Sequence, residues 1–562
     1  MLHSLDLPEL PCSPDGSHGK RPREALHNLE KDAGPDFDKE NDAGQVPAGS
    51  SAAKKPRVRY PRGGTVQYLT ASEHLPAGPR SVQELANWPD MVVSKLLDTR
   101  HAGHKDRLLR LRENCEPGLA LHTDFSGKGC FETSMRMLLK ALAKAGVETH
   151  PIDAVSTHSV NDIAPLCLRV QMHPTADRAV HVFKGLRERL PPAQQEELRK
   201  LGPSKDASLY EKKVAFERVE NYLIKNSAAC FGQMATKGCA VGSCLLHPNM
   251  ACQPWMPPIS KATDYPDRPL TINCSGSMCT PFSSFGSRSG MAHDATESWH
   301  LHRLGQQFAQ MDVSTLENSV HFPEELWVRT MTKTHHVITI RFGPEQLGHP
   351  AVRQRMLSTA IRRETLLWTG PGTDAEIWQD FMKFFQCSVG LEGDIYAKLD
   401  TAENQREARA RYARMKGMDP VDVMDKSLAS FLCPSYAKHL RKYHEVMAER
   451  EGMGGSFIGD ISQNPSHRLR AGAWMPTLAR SSQMVSISQG NYVFTPGEIE
   501  FSQGWPLPTV DKTYQDCVAY DPSQLSAAQH RSLSGNGQHL LAIAAWHAYV
   551  LAHCIRVPLA VR

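Results

Sequence analysis

The residue best placed to do chemistry in this chain of 562 residues is Cys279, which lies in a Gly/Ser-rich turn that leads into Pro281. A tight loop can expose a thiol, and the exposed, partly ionised thiolate is the form that attacks carbon. The chain has 14 cysteines, however, and a cysteine is often a small buried core residue. The residues that accompany Cys279 along the chain must decide between a nucleophile and a structural thiol.

Other reactive groups follow predicted strands. An apolar strand directly precedes the cysteine loop, and a second short strand carries Glu317 near its end. A further strand over 336–341 is followed by a loop that contains Arg353 and Arg355. Ligands bind along the carboxyl edge of an open α/β sheet. We therefore expect the thiol, the carboxyl group and the two guanidinium groups at that edge.

A strand over 118–124 runs into a glycine turn at 125–129 and then into a helix over about 131–145. A strand, a glycine turn and a helix form the opening unit of a nucleotide-binding sheet, because glycines let the backbone approach a ligand closely. This order predicts a cofactor loop at Gly127 and Gly129.

An acid at the end of the second strand of such a sheet commonly holds ribose hydroxyls. A second strand is predicted over 155–160, and Asp162 follows it. Asp153 competes for the same role, and an exposed turn acid is the alternative for each. We take Asp162 as the candidate.

The segment before the cysteine loop is rich in soft ligands. It contains four side chains suited to a tetrahedral zinc site, namely Cys239, Cys244, His247 and Cys252. Zinc accepts thiolate and imidazole together, but the spacing is irregular and lacks a Cys-x-x-Cys pair. The alternative is a set of unligated thiols in a loop.

Taken in chain order, these pieces resemble the DNA (cytosine-5) methyltransferase family. Six segments carry the resemblance in the family's order: Phe125-Ser-Gly-Lys-Gly129, Met278-Cys279-Thr-Pro-Phe-Ser, Leu316-Glu317-Asn318, Arg353-Gln354-Arg355, the group Pro476-Thr-Leu, Thr495-Pro-Gly-Glu and Gln503-Gly-Trp-Pro506, and Gly535-Asn536. The chain departs from the family pattern at Met278, Thr280 and Ala351, and residues 183–185 lack the acid of the third motif. The resemblance covers roughly residues 115–190 and 268–555.

The resemblance implies a reaction. Cys279 would add to carbon 6 of a flipped cytosine, since carbon 5 alone is too poor a nucleophile. Glu317 would act at ring nitrogen 3, while Arg353 and Arg355 orient the base and favour the thiolate. S-adenosylmethionine would supply the methyl group. Its implied binding residues are Phe125, Ser126, Gly127, Gly129, Asp162 and Asn536.

The expected fold is α/β, with a Rossmann-like S-adenosylmethionine-dependent methyltransferase sheet, helices on both faces and a small target-recognition subdomain. Further strands are predicted over 475–480 and 492–506. The expected organisation has six parts: a disordered basic tail at 1–63, the cofactor-binding half at 64–190, a helical and Cys-rich insertion at 191–267, the catalytic half at 268–365, the target-recognition region at 366–470 and the C-terminal part of the catalytic domain at 471–562.

Composition limits the partners. A formal charge of +4 is too small to indicate polyanion binding by itself, so the expectation of double-stranded DNA rests on the motifs. The most apolar run, 539–555, is interrupted by histidines and is shorter than the ~20 residues of a bilayer span. We expect a core helix there and no membrane partner.

The tail has two basic clusters, at 20–23 and 54–59, which are typical of nuclear import signals or nucleic-acid contacts. The N-terminus has no basic region followed by an apolar core, so it is not a secretory signal. We expect a nuclear protein that binds an import receptor. A merely soluble tail is the alternative.

Two other functions stay open. A related enzyme could modify tRNA through the same chemistry, and a catalytically silent relative could bind DNA or chromatin partners through the insertion and the tail. The presence of both Cys279 and Glu317 argues against the silent relative, because a binding module needs neither.

Overall fold

The fold is described from a computed structural model. It describes residues 75–149, 158–160, 181–183, 185–236, 268–277, 289–449, 455–465, 471–518 and 525–557. Residues 63–562 form one compact unit, and all elements below belong to it.

A seven-stranded sheet is the centre of this unit. Its strands are β1 (Leu119–Asp124), β2 (His158–Val160), β3 (His181–Phe183), β4 (Leu270–Ser275), β5 (Val313–Ser319), β6 (His335–Phe342) and β7 (Arg355–Arg362), in the spatial order β3-β2-β1-β4-β5-β7-β6. The first five strands pair in parallel, and β7 runs antiparallel between β5 and β6. The order reverses beside β1, so a crevice for ligands is expected at the carboxyl ends of β1 and β4.

Fifteen helices are found in the described ranges. They are α1 (Val82–Ala86), α2 (Trp88–Leu96), α3 (His104–Cys115), α4 (Cys130–Lys144), α5 (Pro192–Leu201), α6 (Leu209–Lys225), α7 (Ser227–Thr236), α8 (Thr296–Ala309), α9 (Glu325–Met331), α10 (Asp374–Phe385), α11 (Ala402–Met415), α12 (Pro434–Ala448), α13 (Pro496–Phe501), α14 (Ala527–Asn536) and α15 (Leu540–Ala552).

Apolar side chains cover both faces of the sheet, because alternate residues of a strand point to opposite sides. In β7, Leu357 and Ile361 join the large core formed with α2, α4, α10 and α15. Met356 and Ala360 join a second core with Trp299 of α8 and Trp327 of α9. The predicted α/β sheet with helices on both faces is confirmed.

Helix α15 lies at the centre of the large core, and all its residues except Ala542 are buried. The core helix predicted from the apolar run is therefore confirmed. Within the described ranges, no helix combines the length and apolarity that crossing a bilayer requires.

A smaller module lies inside the same unit. It contains α11, α12 and a four-stranded sheet whose strands are β9 (Ile458–Asp460), β10 (Ala471–Gly472), β11 (Met484–Ser486) and β12 (Tyr492–Val493). Tyr412, Tyr443 and Val485 belong to its separate hydrophobic core.

A last pair of strands joins β8 (Leu366–Trp368) to β13 (Cys554–Arg556). The predicted domain boundaries stay predictions.

Of the two further strands predicted, the one over 475–480 is wrong and the one over 492–506 is right only at β12, while β7 was not predicted. Residues 496–501 form α13, because Thr495 caps its own helix: its side chain accepts from the backbone of Glu498, whose carboxylate accepts from Thr495 in return. Over 475–480 only Met475 makes a strand-like bridge, to Ala351. The predicted arginine loop runs directly into β7.

Strand β7 was missed because its centre, Ser358-Thr359-Ala360, is polar or small. The structure satisfies these hydroxyls internally. Ser358 Oγ lies 2.8 Å from Thr339 Oγ1, and Thr359 Oγ1 accepts from Trp546 Nε1 at 2.7 Å.

Candidate functional site

The glycine turn between β1 and α4 is held in an unusual backbone conformation. Phe125, Gly127 and Gly129 have φ angles of 57°, 57° and 80°, in the left-handed region. A Cβ atom at Gly127 would meet nothing within 4 Å, so the backbone conformation, not crowding, favours glycine there. The turn is closed by the Gly129 amide, which donates to the Ser126 carbonyl at 3.0 Å.

A cleft opens beside this turn at the carboxyl ends of β1 and β4. It encloses about 330 Å³, part of which is open to solvent. Its lining comes from three segments: residues 123–127 with Cys130 and Phe131, then Cys274 with Gly276, and finally residues 536–538. The cleft therefore brings Phe125, Ser126 and Gly127 together with Asn536, as the resemblance implied. Gly129 lies in the turn, and Asp162 lies outside the described residues.

Asn536 reaches the cleft because the residue before it has no side chain. A Cβ atom at Gly535 would lie 2.3 Å from the backbone carbon of Ala479, a distance at which two backbones cannot both stay in place. Arg353 adds to this support, since its Nη2 donates to the carbonyls of Gly537 and, at 3.4 Å, of Gly535. Arg353 is thus buried against the segment that presents Asn536.

Glu317 lies beside Gly276, one of the residues that line the cleft. The carboxylate is buried on β5, and Arg355 Nε lies 2.9 Å from Glu317 Oε1 as an ion pair without hydrogen-bond alignment. A Cβ atom at Gly276 would lie 3.5 Å from Glu317 Oε2 and 3.3 Å from Gln538 Nε2. The carboxylate and the Gln538 amide therefore flank the backbone that leads into the cysteine loop.

Asn318, the residue after Glu317, fixes that backbone. Its Nδ2 donates to the Ser277 carbonyl at 3.0 Å and to Ser277 Oγ at 2.8 Å. Ser277 is two residues before Cys279, which itself lies outside the described residues. The start of the cysteine loop is thus anchored beside Glu317.

A buried polar chain joins the roots of the two loops. Asp124, the last residue of β1, forms an ion pair with Arg189, and its Oδ2 lies 2.5 Å from His302 Nδ1. His302 Nε2 lies 2.9 Å from Oγ of Ser275, the last residue of β4. Burial alone raises the pKa of Asp124, but the charge of Arg189 and the contact with His302 outweigh it and hold that pKa well below its usual range.

Two other thiols lie in the cleft wall. Burial raises the pKa of Cys130 to about 11. Burial also raises the pKa of Cys274 well above its ordinary value, and the nearby Glu317 carboxylate adds to the increase. Both stay protonated at neutral pH and are poor nucleophiles.

The sequence reading missed Asp124, His302, Ser275 and Gln538. Asp124 directly precedes the glycine turn, so its position was a usable signal. His302 and Gln538 act through contacts between distant segments, and no local pattern marks them.

The four predicted zinc ligands lie outside the described residues, and zinc stays a prediction. Among the residues that the structure describes, no three His, Cys, Asp or Glu side chains are grouped as a metal site.

No protein-family model and no curated protein match the chain. Among solved structures it is similar to a DNMT2 mutant from Spodoptera frugiperda, at 12% identity over 77% of this chain and 99% of that chain, with a TM-score of 0.35. It is also similar to the Dnmt2 methyltransferase of S. pombe, at 10% identity over 77% and 98%, with a TM-score of 0.35. A putative DNA modification methyltransferase encoded within an E. coli prophage aligns at 13% identity over 78% and 98%, with a TM-score of 0.35.

Independently of these likenesses, five parallel strands, an antiparallel β7 between β5 and β6, and a glycine turn after β1 make a Rossmann-like α/β fold.

Proposed function

We propose that this protein is a DNA (cytosine-5) methyltransferase that uses S-adenosylmethionine. The observation that carries the proposal is the meeting of three segments at one sheet edge. The cleft formed by the glycine turn and Asn536 ends beside Glu317, and Asn318 anchors the chain two residues before Cys279.

The cleft residues fit the methyl donor. Phe125 and Phe131 offer apolar surface, Asn536 offers a polar amide, and the open backbone at Gly127 lets a ligand approach. When bound there, S-adenosylmethionine supplies an electrophilic methyl group. The protein's part is to hold the donor against the target and to exclude water.

The protein residues then carry the covalent steps. The Cys279 thiolate adds to carbon 6 of cytosine, and Glu317 stabilises the charge that develops at ring nitrogen 3. Carbon 5 takes the methyl group, loses its proton to a base, and the bond between sulfur and carbon 6 breaks to release the thiolate. Arg355 pairs with Glu317 and orients it toward the base.

The raised pKa values of Cys130 and Cys274 support this assignment. Both thiols line the cleft, yet burial keeps them protonated. Cys279 is therefore the better candidate for the thiolate.

The smaller module is proposed to contact the nucleic acid. Arg406 on α11 and Lys438 and Arg441 on α12 are exposed, and phosphate contacts of such side chains position a protein on a duplex. The target base must leave the stack to reach Glu317, so the reaction includes base flipping.

We further propose that the basic clusters of the tail direct the protein to the nucleus through an import receptor.

The decisive experiment measures transfer of tritium from labelled S-adenosylmethionine to duplex DNA and, in parallel, to tRNA. Wild-type protein is compared with Cys279→Ser and with Cys517→Ser, which changes a thiol near α4, away from the cleft. We expect label on DNA from the wild type and from Cys517→Ser, and none from Cys279→Ser. Label on tRNA alone would show that tRNA, not DNA, is the substrate. The absence of cysteine-dependent label on both nucleic acids would refute the proposed methyltransferase activity.

A second experiment tests the covalent step. DNA with 5-fluorocytosine at the target should trap a complex that survives denaturation, because fluorine cannot leave as the proton does. Methyl transfer to ordinary DNA without such a complex would exclude the Cys279 mechanism.

A further inference from the structure

Lys128, inside the glycine turn, has its charged end in the protein interior. Its side chain is 0% exposed, and Nζ lies 2.9 Å from Glu500 Oε1 on α13. The same atom lies 3.3 Å from Ser534 Oγ on α14 and 4.4 Å from the centre of the Trp505 ring. The lysine thus has an anion, a hydroxyl and an aromatic face around it, which is the environment that a buried ammonium requires.

These partners lie on or beside the segments that support the other wall of the cleft. Helix α14, which Lys128 contacts at Ser534, ends at Asn536, and residues 536–538 line the cleft. Gln503 Nε2 donates to the Ser534 carbonyl at 2.7 Å, and His530 Nδ1 lies 3.3 Å from Glu500 Oε1. Lys128 therefore connects the wall made by the glycine turn with the wall made by the end of α14.

The turn needs such an external anchor. Phe125, Gly127 and Gly129 all have left-handed φ angles. This conformation is strained for Phe125 and is one of many that the two glycines can adopt, so the turn keeps it only where its surroundings fix it. Lys128 lies between the last two of these residues. Its ion pair supplies a contact from outside the turn.

We propose that Lys128 is a positioning residue that fixes the separation of the two cleft walls and thereby sets the affinity for the methyl donor. The identity of the donor rests on the proposed function. Lys128 acts through its contacts with Glu500 and Ser534 and takes no part in the transfer itself.

The test measures the affinity of the full-length protein for S-adenosylmethionine by titration calorimetry, without nucleic acid. Lys128→Met keeps much of the length but removes the charge, and we expect its Kd to rise about tenfold or more. Lys128→Arg keeps a cation and should recover part of the affinity. Lys140→Met is the matched control, since Lys140 lies on α4 and pairs with Asp516 at 2.8 Å away from the cleft; its Kd should stay unchanged.

A merely structural role gives a different result. It would lower the thermal midpoint and the number of binding sites per chain, while the remaining folded sites keep the wild-type Kd. A folded Lys128→Met protein whose Kd stays within about twofold of the wild type would overturn the proposal. If Lys128→Met does not fold, Glu500→Gln provides the same comparison with a smaller rise in Kd, and an unchanged Kd would again refute the role of the contact.

Failure of the proposed function is visible separately. If the wild-type protein binds no S-adenosylmethionine, both the proposed identity of the methyl donor and the role of Lys128 are refuted. Wild-type binding that Lys128→Met does not weaken refutes the inference alone.

Discussion

The orientation of the Glu317 carboxylate depends on Arg355 in the neighbouring strand β7. In the β5 and β7 pair, Ser319 lies opposite Arg355, so the arginine is the diagonal neighbour of Glu317 on the same face. Arg353, two residues earlier, is buried against the Gly535 and Gly537 carbonyls. Two arginines that look equivalent in the sequence thus support different parts of the site.

Replacement of Glu317 by Gln should slow the reaction without weakening donor binding. The amide keeps the shape but is a weaker acid and base, and positioned acid–base groups contribute about 100- to 10,000-fold. We expect kcat to fall within that range while the Kd for S-adenosylmethionine stays unchanged. Steady-state rates with calorimetric Kd values test this, and a variant with wild-type kcat would remove Glu317 from the mechanism.

The two cleft thiols should resist alkylation in the folded protein. With its pKa raised to about 11, Cys130 is almost wholly protonated at pH 8, and burial also raises the pKa of Cys274 well above its ordinary value. Iodoacetamide followed by peptide mass spectrometry should find both unmodified at pH 8 and both modified in urea. Modification of Cys274 in the native protein at the rate of a free cysteine would contradict its burial.

At the scale of elements, the chain of Asp124, His302 and Ser275 links β1, α8 and β4. These strands deliver the glycine turn and the cysteine loop, so the chain fixes one loop root relative to the other. The spacing of the two loop roots therefore depends on a buried carboxylate.

Asp124→Asn should destabilise the fold in a pH-dependent way. The folded-state pKa of Asp124 is lowered, so its contribution to stability is present above the unfolded pKa of about 3.9 and is lost as the pH falls below it. Removal of one partner of a buried pair costs about 3 kcal/mol. Urea unfolding should show a deficit of this size at pH 7 and a smaller deficit near pH 3.5.

The matched control for that experiment is Asp516→Asn. Its pair with Lys140 is largely exposed, and such pairs contribute up to about 1 kcal/mol. An Asp124→Asn deficit that is equal at both pH values would show that the carboxylate charge does not stabilise the fold.

The sequence predicted the elements whose patterns are local. The buried strand β1, the amphipathic helix α4 and the strand that carries Glu317 all follow from apolar runs and a glycine turn. It did not predict β7, because Ser358 and Thr359 find their partners on other elements. It mistook α13 for a strand because the Val, Phe and Ile residues near 493–499 outweighed the helix-capping signal at Thr495.

For the same reason, local sequence patterns could not predict the contacts that complete the site. Gln538 meets Gly276, and Lys128 meets Glu500, only when segments several hundred residues apart in sequence pack together. Motif order could predict which residues share the site, but not which of them support one another.

At the scale of the whole molecule, the smaller module is tied through Glu498 to α13, whose Glu500 pairs with Lys128 of the glycine turn. Glu498 Oε1 accepts from the Leu399 amide at 2.9 Å and from the Tyr492 hydroxyl at 2.7 Å, and its Oε2 accepts from Gln405 Nε2 at 3.2 Å. One buried carboxylate on α13 thus joins α11, β12 and the chain before α11. A nucleic acid held by the module would be placed relative to the cleft through this junction.

Replacement of Lys438 and Arg441 by Ala should weaken nucleic-acid binding and reduce its dependence on salt. Each lost phosphate contact lowers the slope of log K against log salt by about 0.9 for duplex DNA. Binding measured by fluorescence anisotropy at several salt concentrations tests this. Lys200→Ala is the control, since Lys200 pairs with Glu197 on α5; an equal change in both variants would show that general charge, not this surface, governs binding.

The three segments that line the cleft have a consequence for how the protein is made. A ribosome completes the glycine turn some 400 residues before it reaches residues 536–538, which close the opposite wall. Until α14 and α15 have been synthesised, the growing chain has the turn and Glu317 but no complete cleft. Completion of the cleft therefore coincides with closure of the core around α15.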